Sequence, residues 1–329
     1  MNSITKPLSP NDVVAQISGA KESLIQSSIS ENTRRAYQRA WTRWVDYRQQ
    51  TKSEENDNGL ASFITYLHEI EYLSKSTIAL ILSGVRFGYK IQEREIYGTE
   101  SQMVMRGIQR TGRKGRGQST GINVDIVKSA RSRLFKSGSV KDLRDGLLIG
   151  LLSDGLLRRS ELLSIRVGDI EQSSDKSGRL TIHRSKTDQE GKGAVVFLSP
   201  DTMVIYTAFI RLTGLGQDDI LIQSMTKHGK LRGHKMSPVG LNKLIKSLWE
   251  KLFGDCAGVS SHSFRIGTAQ SLSERGAGLV ELQNAGRWSS PSMPAKYTRN
   301  QEAGRGAVAR LLYGNCAKQS TSSETDKSL

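Results

Sequence analysis

Tyr297 stands in a polar, cationic run, Lys296-Tyr297-Thr298-Arg299-Asn300, nine residues beyond Trp288. A phenol becomes a nucleophile when a base takes its proton and its target is held in place. The run Ser261-His262-Ser263-Phe264-Arg265 supplies groups of both kinds. His262 and Arg265 lie three apart at an expected helix start, so they project from one face. A guanidinium suits phosphate because it offers a planar fork of donors and keeps its charge. The chemistry these residues describe is phosphodiester transfer, with a nucleophile in line and cations around the nonbridging oxygens. Each residue also has a plainer reading: a core tyrosine, a helix-capping histidine, a surface-paired arginine. Buried tyrosines seldom keep such polar company, which favours the chemical reading of Tyr297.

The elements that must position these groups follow from hydrophobic period and breakers. In the first half, helices are expected at Asn11 to Gln26, Ser30 to Gln49, Gly59 to Leu73, Ser76 to Glu93 and Thr99 to Gln109. The second of these carries two stripes. Tyr37, Trp41 and Trp44 form an aromatic row that reads as core, while Arg35, Arg39 and Arg43 form either a solvated face or a phosphate-binding one. Residues 110 to 118 then hold Arg110, Arg113, Lys114 and Arg116 among glycines with no apolar anchor, the composition of an interdomain linker able to lie on phosphates.

Further helices are expected at Val124 to Phe135, Lys141 to Leu152 and Leu156 to Ile165, the last carrying Arg158 and Glu161 at i and i+3. Alternation over Arg179 to His183 and Ala194 to Leu198 reads as a β-hairpin with Lys186 close to its turn. Helices return at Pro200 to Leu212, Pro238 to Phe253, Ser263 to Arg275 and Gly278 to Gly286. The expected fold class is mainly α with a small antiparallel β-sheet, in two domains. The Ser/Thr-rich stretch from Lys318 to Leu329 is expected to be disordered.

Composition narrows the partner. Lys and Arg total 48 against 32 Asp and Glu, a formal charge of +16 over 329 residues, which favours a polyanion and nucleic acid first. Two cysteines, Cys256 and Cys316, match no metal-ligand spacing, so no metal site and no disulfide framework are expected. The most apolar run, Gly146 to Leu157, is shorter than the roughly 20 residues a bilayer requires, and Met1 to Pro10 lacks a signal-like core. A cytoplasmic protein with no membrane partner is the expectation.

The ordered motifs Gly155-Leu156-Leu157-Arg158-Arg159-Ser160-Glu161, Arg184-Ser185-Lys186-Thr187, His262-Ser263-Phe264-Arg265, Gly286-Arg287-Trp288 and Tyr297 resemble those of the tyrosine recombinases, the phage integrase family. One such motif is weak, but five in order are specific. The likeness runs from about Gly155 to Tyr313 and is only architectural before Arg110. Phe264, Arg287 and the prolines Pro291 and Pro294 depart from the pattern and frame Tyr297, bearing on its mobility and on the timing of cleavage.

The resemblance implies a catalytic set of Arg158, Lys186, His262, Arg265, Trp288 and Tyr297. Arg158 and Arg265 would grip the scissile phosphate, Lys186 would protonate the leaving 5′ oxygen, and Trp288 would donate its indole N–H. Glu161 would orient a neighbouring group. The implied organisation is an arm or first helix over 1–28, a helical core-binding, SAM-like domain over 29–110, a basic linker over 111–122, a catalytic domain over 123–313 and a disordered tail over 314–329. The two domains would clamp duplex DNA at specific recombination sites. The protein would be monomeric when free and a homo-tetramer on paired sites, with 307–313 docking on a neighbouring protomer. A bacterial, phage or plasmid origin and a nucleoid association fit this. The 3′-phosphotyrosyl intermediate would need no cofactor, neither ATP nor metal. Rival readings are a type IB topoisomerase-like nicking and closing enzyme and a non-catalytic DNA-binding protein.

Overall fold

The computed structural model describes residue 24, residues 28–113, 115, 117, 119–183 and 193–302. Lys186, Lys114, Arg116, nearly all of the expected first helix, the 307–313 segment and the terminal Ser/Thr-rich stretch lie outside the described residues. The chain divides into two compact units between Gly117 and Gln118.

In the first unit, helices α1 (Glu31–Thr51), α2 (Asp57–Glu69), α3 (Lys75–Ile91) and α4 (Thr99–Thr111) form a bundle. Ser30, Asn56 and Ser74 cap the first three by accepting from backbone N–H groups of the first turn. The aromatic row of α1 enters the core at Trp44, fully buried with its indole donating to Tyr89 Oη at 2.8 Å, while Trp41 packs against the core partly buried and Tyr37 is only partly buried. Tyr89 in turn donates to Glu55 at 2.6 Å. Burial and the Glu55 carboxylate push the Tyr89 phenol up to about 12, so it stays a donor. Arg35 and Arg39 are exposed, whereas Arg43 is spoken for by Glu71. Arg113 stacks over Tyr72 at 4.3 Å and donates to the His68 carbonyl at 2.6 Å.

The second unit is built around α6 (Val140–Asp154), which follows α5 (Val124–Ser137). Every residue of α6 from Leu143 to Ser153 is buried. A helix buried on all sides must be surrounded, and this one is the centre of the larger core, its buried Arg144 and Asp145 paired with each other at 2.6 Å. The helix expected over Leu156 to Ile165 is cut to one turn, α7 (Arg159–Leu162). The reason is Leu156, which adopts φ +44 and breaks the chain away from α6 before Arg158.

Strands β1 (Ile170–Gln172), β2 (Gly178–Ile182) and β3 (Ala194–Leu198) form an antiparallel sheet in that order, with Leu180 opposite Val196. The expected hairpin is therefore present but gains β1, too short to show alternation in sequence. After α8 (Pro200–Thr213) comes a second hairpin not anticipated from the sequence, β4 (Gln223–Met225) with β5 (Leu231–Lys235). Four helices complete the unit: α9 (Pro238–Phe253), α10 (Ser261–Glu274), α11 (Leu279–Gly286) and α12 (Ser292–Glu302). The polar segment around Tyr297, for which the sequence shows no helical period, lies in this last helix. Among the described residues no helix is long and apolar enough to cross a membrane, and no group of three metal-ligating side chains occurs.

Candidate active site

Four elements of the second unit bring the expected residues together. Helix α10 starts at Ser260, whose hydroxyl accepts from the His262 N–H at 3.2 Å, and Ser263 Oγ returns the favour to the Ser260 N–H at 3.0 Å. That capping box fixes the first turn, from which His262 and Arg265 extend. Phe264, between them, is fully buried edge-on to Trp249 at 5.4 Å, which anchors α10 to α9. Gly267 passes so close to the Ile122 backbone that a Cβ there would lie 1.8 Å from its carbonyl oxygen.

Tyr297 is 6% exposed, which overturns the expectation that its polar neighbours keep it at the surface. A helix resolves the conflict, because neighbours in sequence point to other faces: Tyr297 turns inward while Lys296 does not. Its hydroxyl lies 3.0 Å from His262 Nε2. With Leu156, Ile266, Ala269 and Trp288 it forms a small apolar cluster that floors the site. Trp288 packs on Gly286, where a Cβ would meet the indole ring at 2.0 Å.

Arg265 lies against the face of Trp288, its guanidinium carbon 4.4 Å from the ring centroid. It is almost fully buried and donates to the Leu156 and Gly286 carbonyls. Arg158 is half-buried, with its backbone N–H on Glu161 Oε2 at 2.9 Å and its Nη1 on Glu161 Oε1 at 2.8 Å. Glu161 is itself buried. Burial works to raise its carboxyl, but the Arg158 hydrogen bonds and the Arg287 charge outweigh that and hold it below the usual carboxylate range.

Arg158 and Arg287 thus both pair with one carboxylate, Glu161, and Arg265 lies within reach of its charge. The strain shows at Arg265, which burial, Arg158 and Arg287 together bring down to about 9. Enclosure, Arg265 and Arg158 likewise lower His262. Burial raises the Tyr297 phenol, against the pull of the two arginines. A site that stresses its cations in this way favours an anion.

Of the expected catalytic residues, Arg158, His262, Arg265, Trp288 and Tyr297 converge. Two residues missed by sequence reasoning also belong here: Leu156, whose carbonyl receives Arg265, and Arg287, noted earlier only as a departure from pattern. A guanidinium-bearing side chain at a helix C-terminus beside Trp288 was the available signal.

Over 196 residues the chain is 28% identical to the recombinase Cre of Escherichia phage P1, covering 55% of this chain and 57% of Cre. The chain thus spans little more than half the length of that relative. The fold is similar to that of XerH site-specific recombinase bound to a palindromic difH substrate, with a TM-score of 0.58 at 17% identity over 77% of this chain and 72% of that one. It is equally similar to the Tn1549 transposon integrase in complex with transposon right end DNA, with a TM-score of 0.58 at 15% identity over 87% and 97%. The sequence profile of the phage integrase family matches residues 126–303, more than half of the chain and all five converging side chains, so this chain belongs to the phage integrase family.

Proposed function

We propose that this chain is a site-specific DNA recombinase that cuts and rejoins duplex DNA through Tyr297. The observation that carries the reading is the meeting of Tyr297, His262, three guanidiniums and the Glu161 carboxylate. Tyr297 Oη attacks the phosphorus and forms a 3′-phosphotyrosyl bond as the bond to the 5′ oxygen breaks. The 5′ hydroxyl of a partner strand then reverses the step. One phosphodiester is exchanged for another, so no energy source or cofactor is needed for the balance. Arg158 and Arg265 hold the nonbridging oxygens, and Trp288 supplies an indole N–H. Lys186 is assigned as the acid for the leaving oxygen on the strength of its motif.

Exposed Arg35, Arg39 and Arg110, and the basic residues Arg113, Lys114 and Arg116, fit contacts to the DNA backbone. The domain boundaries stated above, a clamp around DNA, a cytoplasmic setting and a tetramer on paired sites belong to the same proposal.

A neutral His262 is able to take the Tyr297 proton at Nε2, and its lowered pKa keeps it neutral at pH 7. The sign follows: a base below its ordinary value loses function only when pH falls beneath that value. The second-order rate of covalent adduct formation should stay level down to about pH 6.5 and then fall. In His262→Gln that acid limb should vanish along with most of the rate. An acid limb kept by His262→Gln would contradict the assignment.

The test of the function begins with a pool of randomised duplexes, each nicked next to the candidate phosphate so that the short 5′ fragment diffuses away after cleavage. Covalent protein–DNA adducts are recovered under denaturing conditions and sequenced. A defined site should emerge, and a plasmid with two copies of it should recombine. Relaxation of supercoils without recombination would point to a topoisomerase, and binding without adducts to a non-catalytic protein.

A further inference from the structure

Arg287 sits at the C-cap of α11 with φ 53 and ψ 48, a left-handed conformation that favours glycine. Its side chain is nonetheless turned inward, 12% exposed, and not toward solvent or a ligand in solution. Nη1 donates to the Gly155 carbonyl at 2.9 Å, and Nη2 to Glu161 Oε2 at 2.9 Å and more weakly to the Leu156 carbonyl at 3.4 Å. Its own carbonyl accepts from Arg158 Nη2 at 3.1 Å. One residue therefore holds both the guanidinium of Arg158 and the carboxylate that Arg158 pairs with. It also fixes the two peptide units that lead into Arg158.

Building on the recombinase reading, we propose that Arg287 is a positioning residue that sets Arg158 for the scissile phosphate. Two effects act together. The fork onto Gly155, Leu156 and Glu161 locks the turn between α6 and α7, so the Arg158 guanidinium has one place to be. Glu161 alone would also neutralise Arg158. Shared between two guanidiniums, it leaves net positive charge at the site for the incoming phosphate. Arg287 itself has no contact with the phosphate in this scheme.

The test uses the duplex recovered by adduct selection and the full chain. Arg287→Gly suits the left-handed backbone, so the variant should fold and bind the duplex as wild type does. Its single-turnover rate of adduct formation at saturating duplex should drop on the order of 10²-fold, the effect of a misplaced catalytic group. Arg287→Lys, which keeps charge beside Glu161 without the fork, should fall between the two. A folded Arg287→Gly reacting at the wild-type rate would overturn the proposal, as would a variant weakened only in duplex binding. If the glycine variant does not fold, a folded Arg287→Lys at the wild-type rate does the same. Wild type forming no adduct under identical conditions would instead sink the recombinase reading itself, which keeps the two failures apart.

Discussion

Arg265→Ala should lower the single-turnover rate of adduct formation by on the order of 10²- to 10³-fold, the usual consequence of removing one donor aimed at developing charge. The same change should weaken the fold. Arg265 is 1% exposed, and two of its five N–H donors satisfy the carbonyls of Leu156 and Gly286. Alanine leaves both acceptors buried without those donors, at about 1–3 kcal/mol each, and removes the surface on which Trp288 rests. Lysine would restore one charge but cannot bond both carbonyls with the planar geometry of a guanidinium. Adduct kinetics and urea unfolding, measured on the same samples, check both halves. An alanine variant with the wild-type rate would remove Arg265 from the chemistry.

The second large effect lies away from the reacting groups. Asp154 ends α6 and gathers the start of α8: it accepts from the Ser199 N–H at 2.9 Å, Ser199 Oγ at 2.5 Å and Thr202 Oγ1 at 2.6 Å. Arg131, 3% exposed, reaches it at 3.4 Å and also donates to Thr202 Oγ1 at 2.5 Å. Asp154→Ala should destabilise the second unit by about 3–5 kcal/mol, because it removes the carboxylate that faces the buried Arg131 guanidinium and accepts from two hydroxyls. Asp201 also pairs with Arg131 at 3.3 Å but is itself exposed, so its compensation is partial and favours the lower figure. Asp154 immediately precedes Gly155 and Leu156, whose carbonyls seat Arg265 and Arg287. Thermal or urea unfolding should show the loss, and adduct formation should slow even where the variant remains folded. Stability unchanged within 1 kcal/mol would show that the network around Arg131 is held by other groups.

The sequence carried the helices well because their signals are local. Caps such as Ser30, Ser74 and Ser199, and prolines at the starts of α8 and α9, mark boundaries without reference to the rest of the chain. It failed where tertiary contacts decide. Leu156 adopts a conformation that its side chain disfavours, and its carbonyl there meets Arg265, a partner far along the chain. Strands β1 and β4 are three residues each, too short for a period of two to be visible, and β5 is exposed along nearly its whole length, so its sequence carries no alternation. Four of the five motifs name residues that converge in the structure, whereas the electrostatics of their meeting were not legible. That Arg265 turns inward onto carbonyls, that Tyr297 is buried against His262, and that Glu161 serves two arginines all depend on helices meeting in space.

In the proposed reaction Tyr297 becomes covalently joined to DNA. The most direct measurement is mass spectrometry of the protein after reaction with the selected nicked duplex and nuclease trimming. A nucleotide adduct is expected on the peptide containing Tyr297, with its complete loss in Tyr297→Phe while duplex binding persists. A covalent adduct retained by Tyr297→Phe, or mapped to another residue, would contradict it.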